Sequence, residues 1–168
     1  MIFESHAHYD DEAFDEDRDA LLRSFAENGI DKVINIGASL ESCRRTLALV
    51  EKYSFFYGAI GVHPSETGEL TETDLLWLKE RCALEKVVAV GEIGLDYYWK
   101  EPEPSVQKRW FEMQLDMAKE VKLPVVIHSR DAARDTLDIM KSSHAETTGG
   151  VVHCFSYTKE IAREYLEM

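Results

Sequence analysis

Short apolar runs alternate with amphipathic segments along the whole chain. The runs predict strands over residues 2–6, 32–36, 55–62, 87–93, 124–128 and 150–155. Helical periodicity and end signals predict helices over residues 16–26, 40–53, 71–84, 106–121, 132–142 and 159–166. The strands are apolar on both faces, as in a parallel sheet covered by helices. The pattern therefore predicts an α/β fold of six βα units in series.

Two architectures fit six such units. One is an open, doubly wound sheet, and the other is a TIM-like (β/α)8 barrel with its last two units missing, since a full barrel takes about 250 residues. A doubly wound sheet normally carries a glycine-rich turn after its first strand. Here the sequence SHAHYDD occupies that turn.

Composition narrows the class of protein. A chain of 168 residues with 45% apolar content predicts one globular domain with a real core. The net charge of -13 opposes capture of nucleic acid by a broad basic surface. The chain has three cysteines without a CxxC motif, and it has neither a leader-like segment nor an apolar run long enough to cross a membrane. These features predict a soluble, cytoplasmic protein that does not bind a membrane.

Five potential metal ligands lie at the downstream ends of predicted strands: His6, His8, Glu92, His128 and His153. His6 and His8 are two residues apart, so both imidazoles face the same side of the first strand. Glu92 interrupts a buried strand and needs a cation or an internal partner. The strand ends of a parallel sheet meet at one edge, so these residues predict a site for two divalent ions that share one carboxylate.

His63 follows the third strand in GVHPSE. Three roles are open for it: substrate contact, proton carrier or plain loop residue. Its position at a strand end favours a catalytic or substrate-binding role. Arg130 suits bidentate contact with a phosphate, and an ion pair with a nearby acid is the alternative, with Asp131, Asp96 or Glu92 as partner. The aromatic run at residues 97–99 is read as packing of a long loop rather than as a nucleobase-stacking surface.

Five segments together carry a family likeness. SHAHYD, GVHPSE, GEIGLDYYW, IHSRDA and HCFS, in this order, closely resemble the TatD-type metal-dependent deoxyribonucleases of the amidohydrolase-like barrel superfamily. The resemblance spans essentially the whole chain. It implies a TIM-like barrel, a site for two divalent ions (Mg, Mn or Zn) and phosphodiester hydrolysis, often as a 3′ to 5′ exonuclease on single-stranded DNA or RNA. By position, His6 and His8 would hold one ion, His128 and His153 the other, and Glu92 would bridge them.

The chain departs from the family pattern at three places. Glu4 stands where the family usually has Asp, and Ser65 stands where it often has His. The family's Thr-Asp-x-Pro segment, whose aspartate binds metal and acts as general base, does not occur. We therefore expect a barrel domain over residues 1–168 that lacks two βα units and has reduced catalysis. Its open edges would favour self-association.

Two other functions remain open at this point. One is an inactive barrel fragment that acts only in binding or assembly. The other is an amidohydrolase acting on an ester or amide outside nucleic acid, which keeps the same first ligands. Such an enzyme would normally carry a carbamylated lysine or an equivalent bridge after the fourth strand, where this chain has Glu92 in GEIGLD.

Overall fold

The structure, a computed structural model, describes residues 1–168. Its strands are β1 Ile2–Ala7, β2 Ile30–Ile36, β3 Phe56–Ile60, β4 Val87–Asp96, β5 Val125–Arg130 and β6 Gly150–Val152. Its α-helices are α1 Arg18–Arg23, α2 Leu40–Lys52, α3 Glu72–Arg81, α4 Pro104–Val121, α5 Ala133–Ser142 and α6 Lys159–Leu166. Short 3-10 turns occur at Glu12–Phe14, Pro64–Glu69 and Ala145–Thr147.

All strand pairs are parallel, and the six strands follow one another across the sheet in chain order. A doubly wound sheet would reverse its order part-way across. The imidazole rings of His6 and His153 stack with their centroids 3.6 Å apart, although His6 lies on one edge strand, β1, and His153 directly follows the other, β6. The sheet therefore curls until the downstream ends of β1 and β6 meet, and the prediction of an incomplete TIM-like barrel is confirmed.

Helix starts follow the capping chemistry of the sequence. The Ser39 hydroxyl accepts from the backbone N–H of Ser42 at the start of α2, and Thr71 forms a reciprocal capping box with Asp74 at the start of α3. Two elements differ from prediction in a way that matters for the site. β4 continues three residues further, to Asp96, and β6 is only three residues long.

The main core lies between β3–β5 and the helices that cover them, where Leu78, Phe111, Leu115 and Ile127 are almost fully buried. Each such side chain contributes roughly 1.5–3 kcal/mol of transfer free energy. The smallest of the three core clusters, formed by Ile36, Ala59, Ala89 and Val126, joins four neighbouring strands. Small residues at two of its four positions suit the tight interior of a curled sheet.

Both edge strands carry exposed apolar side chains. Phe3 on β1 is 57% exposed and Val151 on β6 is 60% exposed. Self-association through these edges stays a prediction. None of the helices has the length and apolarity needed to cross a lipid bilayer.

Candidate metal centre

Glu92 is the centre of a cluster of four imidazoles. Its carboxylate oxygens lie 3.4 Å from a nitrogen of His6, 3.6 Å from His8, 2.8 Å from His128 and 4.0 Å from His153. The Glu92 side chain is 4% exposed, whereas the histidines are more open to the cavity. The structure thus brings the five sequence-predicted ligands to one place at the downstream ends of β1, β4, β5 and β6.

His8 is held in one tautomer. Its Nδ1 atom lies 2.8 Å from the backbone carbonyl of Ile36, and a carbonyl only accepts, so Nδ1 carries the proton of the neutral ring. The Nε2 lone pair is then free, 3.2 Å from Nε2 of His6. Two nitrogens bound tetrahedrally to one zinc-sized ion are roughly 3.3 Å apart, so the spacing of this pair fits a shared cation.

A buried polar network holds the loop that carries His8. The Asp10 carboxylate, 5% exposed, accepts hydrogen bonds from the Asn35 amide at 2.7 Å and the Ser42 hydroxyl at 2.5 Å. Asn35 also accepts from the backbone N–H of Tyr9 at 2.7 Å and donates to Thr46 at 2.8 Å. The loop after β1 is therefore tied to β2 and α2.

Glu4 makes a separate contact within β1, where its carboxylate accepts from the backbone N–H of His6 at 3.1 Å.

His128 lies between two carboxylates. Its Nδ1 atom is 2.8 Å from Glu92, and its Nε2 atom is 2.9 Å from Asp96. Burial alone would lower the pKa of His128, but the contacts with Glu92 and Asp96 outweigh it and raise that pKa. Burial likewise opposes ionisation of Glu92, but hydrogen bonds from His128 and His6 outweigh it and hold the pKa of Glu92 well below its usual range.

Asp96 is a site residue that the sequence reasoning did not single out. Its carboxylate touches His128 and also accepts from the backbone N–H of Tyr98 at 3.0 Å. The buried side chain of Gln107 on α4 accepts from the backbone N–H of Asp96 at 2.9 Å and donates to the backbone carbonyl of Asp96 at 3.0 Å. The available signal was spacing: Glu92 and Asp96 are four residues apart on one strand, so both side chains point to the same face.

His63 follows β3 and packs against His128, with ring centroids 4.2 Å apart. The backbone N–H of Ser65 donates to Nδ1 of His63, which must be unprotonated, so the neutral ring carries its proton on Nε2. Burial first, and the nearby His128 second, lower the pKa of His63 to about 4. His63 is thus a neutral N–H donor beside the cluster, suited to an anionic oxygen rather than to a metal.

The cavity in front of the cluster is strongly acidic. It has a volume of about 620 Å³ and is lined by the four clustered residues His8, Glu92, His128 and His153, by His63 and by five further carboxylates, Asp10, Asp11, Glu12, Glu41 and Glu66. Arg45 is the one arginine or lysine in this lining, and Glu12 at 3.4 Å and Glu41 at 3.6 Å already neutralise it. A polyanion would meet repulsion here unless cations were bound.

Arg130 lies at the rim rather than in this lining. Asp131, Asp96 and Glu92 were the possible ion-pair partners from the sequence, and Arg130 pairs with none of them. Its guanidinium stacks on the ring of Tyr98 instead, 3.7 Å from the centroid. The hydrogen-bonding edges of the guanidinium therefore remain available. Arg130 as a phosphate contact stays a prediction.

The donor set fits a divalent cation. Two groups each bring three ligand atoms within 4.8 Å of one another: His6, Glu92 and His153, and His63, Asp96 and His128. Imidazole and carboxylate together suit zinc, manganese and related ions. The tautomer of His63 argues against ligation by that residue, so the set centred on Glu92 is the better candidate.

A curled, parallel α/β sheet with a histidine and carboxylate cluster at its downstream edge defines a barrel-type protein with a candidate divalent-metal centre. The family model for TatD related DNase matches residues 3–168. The chain belongs to this family.

Individual relatives agree with the family match. An uncharacterized metal-dependent hydrolase of Bacillus subtilis, YabD, is 41% identical over 168 residues, which cover all of this chain and 66% of the relative. A 3'-5' ssDNA/RNA exonuclease, TatD of Cronobacter turicensis, is 33% identical over 153 residues, which cover 91% of this chain and 58% of the relative. The chain thus spans two thirds or less of the length of these curated relatives.

Solved structures show the same fold. The TatD homologue YjjV of Escherichia coli superposes with a TM-score of 0.91 at 33% identity, covering 99% of this chain and 64% of that one. A TatD-family hydrolase of Entamoeba histolytica superposes with a TM-score of 0.89 at 27% identity, covering 99% of this chain and 62% of its own. The incomplete barrel therefore matches the corresponding part of longer barrels.

Proposed function

We propose that this chain is the metal-binding part of a hydrolase that cleaves phosphodiester bonds in single-stranded DNA or RNA. The observation that carries the proposal is the convergence of four imidazoles on the buried carboxylate of Glu92. A relative named as a 3'-5' ssDNA/RNA exonuclease supports this substrate class. The acidic cavity also fits, because a phosphate could enter it only after cations had reversed its local charge.

We assign the ligand roles as follows. His6 and His8 would hold one divalent ion, His128 and His153 a second, and Glu92 would bridge the two. When bound, such ions supply Lewis acidity toward a phosphoryl oxygen and lower the pKa of water. The assignment to His6 and His8 is supported by their nitrogen spacing of 3.2 Å and by the tautomer that Ile36 imposes on His8.

The chain's other residues would bind and orient the substrate. His63 presents its Nε2–H as a donor, and the contact of Ser65 with Nδ1 keeps that proton on Nε2. Arg130, with its polar edges free, would contact a phosphate at the rim. Asp96 would hold the His128 ring through Nε2 at 2.9 Å, so Nδ1, which faces Glu92, would be the nitrogen that binds an ion.

The test is metal-dependent cleavage by the purified chain. The protein is stripped with a chelator, reloaded with Mn²⁺, Mg²⁺ or Zn²⁺, and incubated with end-labelled single-stranded oligonucleotides. The matched pair of variants is Glu92→Gln in the site and Glu80→Gln on the exposed surface of α3. Calorimetry measures the number of ions bound to each protein, and circular dichroism confirms that each is folded.

We expect bound divalent ions and metal-dependent shortening of the oligonucleotide, both lost in Glu92→Gln and retained in Glu80→Gln. Undiminished metal binding and cleavage in Glu92→Gln would contradict the assignment. Metal binding without any cleavage would favour a protein acting only in binding or assembly. Metal-dependent hydrolysis confined to carboxylic esters or amides would favour the amidohydrolase.

A further inference from the structure

Two large aromatic side chains stand exposed on the loop after β4, at the same end of the sheet as the metal cluster. Tyr98 and Trp99 are each 54% exposed, and their rings meet edge to face with centroids 4.9 Å apart. The sequence had favoured loop packing for these residues, but neither ring is in the core. Two neighbouring exposed aromatic rings form a patch of the kind that marks ligand-binding sites.

This aromatic pair is anchored to the candidate metal centre. The Asp96 carboxylate accepts from the backbone N–H of Tyr98 through one oxygen and contacts His128 through the other. The backbone N–H of Tyr97 donates to the carbonyl of Arg130 at 2.9 Å, which continues the β4–β5 pairing past the site. A ligand on the aromatic rings would therefore lie next to whatever occupies the His128 side of the cavity.

Two cationic side chains lie beside these rings in a chain whose net charge is -13. Arg130 and Lys100 are exposed and form no ion pair. The Arg130 guanidinium stacks on the Tyr98 ring, 3.7 Å from its centroid. Two free cations beside two exposed aromatic rings match a ligand that combines planar, apolar faces with negative charge. Single-stranded nucleic acid has this combination in its bases and phosphates.

We propose that Tyr98 and Trp99 form a stacking platform for nucleobases, with Arg130 and Lys100 contacting the adjacent phosphates. The identity of the ligand rests on the proposed function. The additional proposal is that the protein binds the bases of the strand as well as its phosphates. Stacking is tolerant of sequence because every base has an aromatic face. The platform would thus favour single strands, whose bases are accessible, over duplexes.

The test compares two ligands of equal charge and length. One is an oligothymidylate of roughly 12 nucleotides, within the range that single-strand-binding surfaces cover, and the other is its fully abasic counterpart. Affinities are measured by fluorescence anisotropy with and without Mn²⁺, for the native chain, for the double variant Tyr98→Ala/Trp99→Ala and for Lys100→Gln. Phe3→Ala is the matched control, because Phe3 is an aromatic residue of similar exposure, 57%, near the upstream end of β1.

We expect the native chain and Phe3→Ala to bind the oligothymidylate about tenfold or more tightly than the abasic strand. The double variant should lose this preference while keeping its affinity for the abasic strand. Lys100→Gln should weaken both ligands alike and reduce the salt dependence of binding.

Equal affinity of the native chain for both ligands would overturn the platform, even if cleavage were observed. So would an equal loss for both ligands in the double variant, which would mean that the rings only shape the loop. Conversely, a preference for bases that the double variant abolishes would support the platform even if the chain cleaved nothing. The two proposals can therefore fail separately.

Discussion

The Oδ2 atom of Asp96 lies 2.9 Å from Nε2 of His128, and Nδ1 of the same ring lies 2.8 Å from Glu92. Both nitrogens of one imidazole are thus held by buried carboxylates from a single neighbouring strand. Their register on β4 fixes the plane of the His128 ring before any ligand arrives. In metal sites such outer partners commonly set the orientation of the ligating histidine.

Replacing Asp96 by Asn tests this relationship. The amide has nearly the same size but only one acceptor oxygen, so it cannot accept from both the Tyr98 N–H and His128 as Asp96 does, and the hold on the His128 ring should weaken. We expect the affinity for Mn²⁺, measured by titration calorimetry, to fall about 10–100-fold. Asp116→Asn is the control, because Asp116 is an exposed acid on α4 that pairs with Lys119. Unchanged affinity in Asp96→Asn would show that His128 is oriented by other contacts.

The pKa of His63, about 4, gives a prediction for nuclear magnetic resonance. The ring signals of His63 should titrate near pH 4, well below the value of about 6.5 for an unperturbed histidine. Burial is the main cause and the neighbouring His128 the second. A midpoint near the unperturbed value would contradict the buried, neutral His63 of this structure.

The same shift makes stability depend on pH. Between about pH 6.5 and pH 4 the unfolded chain binds a proton at His63 that the folded chain does not. This residue's contribution to the free energy of unfolding should therefore be lost as pH falls through that window. His63→Asn should show a shallower decline in urea midpoint over the window than the native chain.

Gly94 allows β4 and β5 to approach beside the site. It pairs with His128 in the sheet register, its φ is +143°, and a Cβ atom added there would overlap the carbonyl of His128. We expect Gly94→Ala to lower the free energy of unfolding by at least about 3 kcal/mol or to prevent folding. Gly68→Ala is the control, since its nearest neighbour would be a Pro102 side-chain atom at 3.5 Å. Urea denaturation of both variants provides the measurement, and equal midpoints would refute the expectation.

The sequence predicted the order of elements and the strand-end positions of the candidate ligands because both depend on local patterns. Apolar runs mark buried strands, and a polar residue at the end of such a run must lie at the sheet edge. The shared position of His6, Glu92 and His128 followed from this rule alone. Parallel pairing in chain order then brought them together without any need to know individual contacts.

The missed features depend on contacts between distant segments. Asp10 begins the acidic run DDEAFDEDRD, a composition typical of solvent-exposed segments, but Asn35 and Ser42 hold its side chain in the interior. Asp96 was hidden because β4 extends beyond its last β-branched residue and is supported there by Gln107 from α4. The stacking of Arg130 on Tyr98 likewise depends on side-chain placement across two strands. Composition and spacing carry no information on such pairings.

The stacked rings of His6 and His153 have a consequence for folding. They join the first strand to the last, so the contact closes a loop that contains almost the entire chain. Such a long-range contact forms only after the intervening strands are in register, which makes it a late event in folding. Two ions, one held by His6 and the other by His153 and bridged by Glu92, would tie metal occupancy to the integrity of both ends of the sheet.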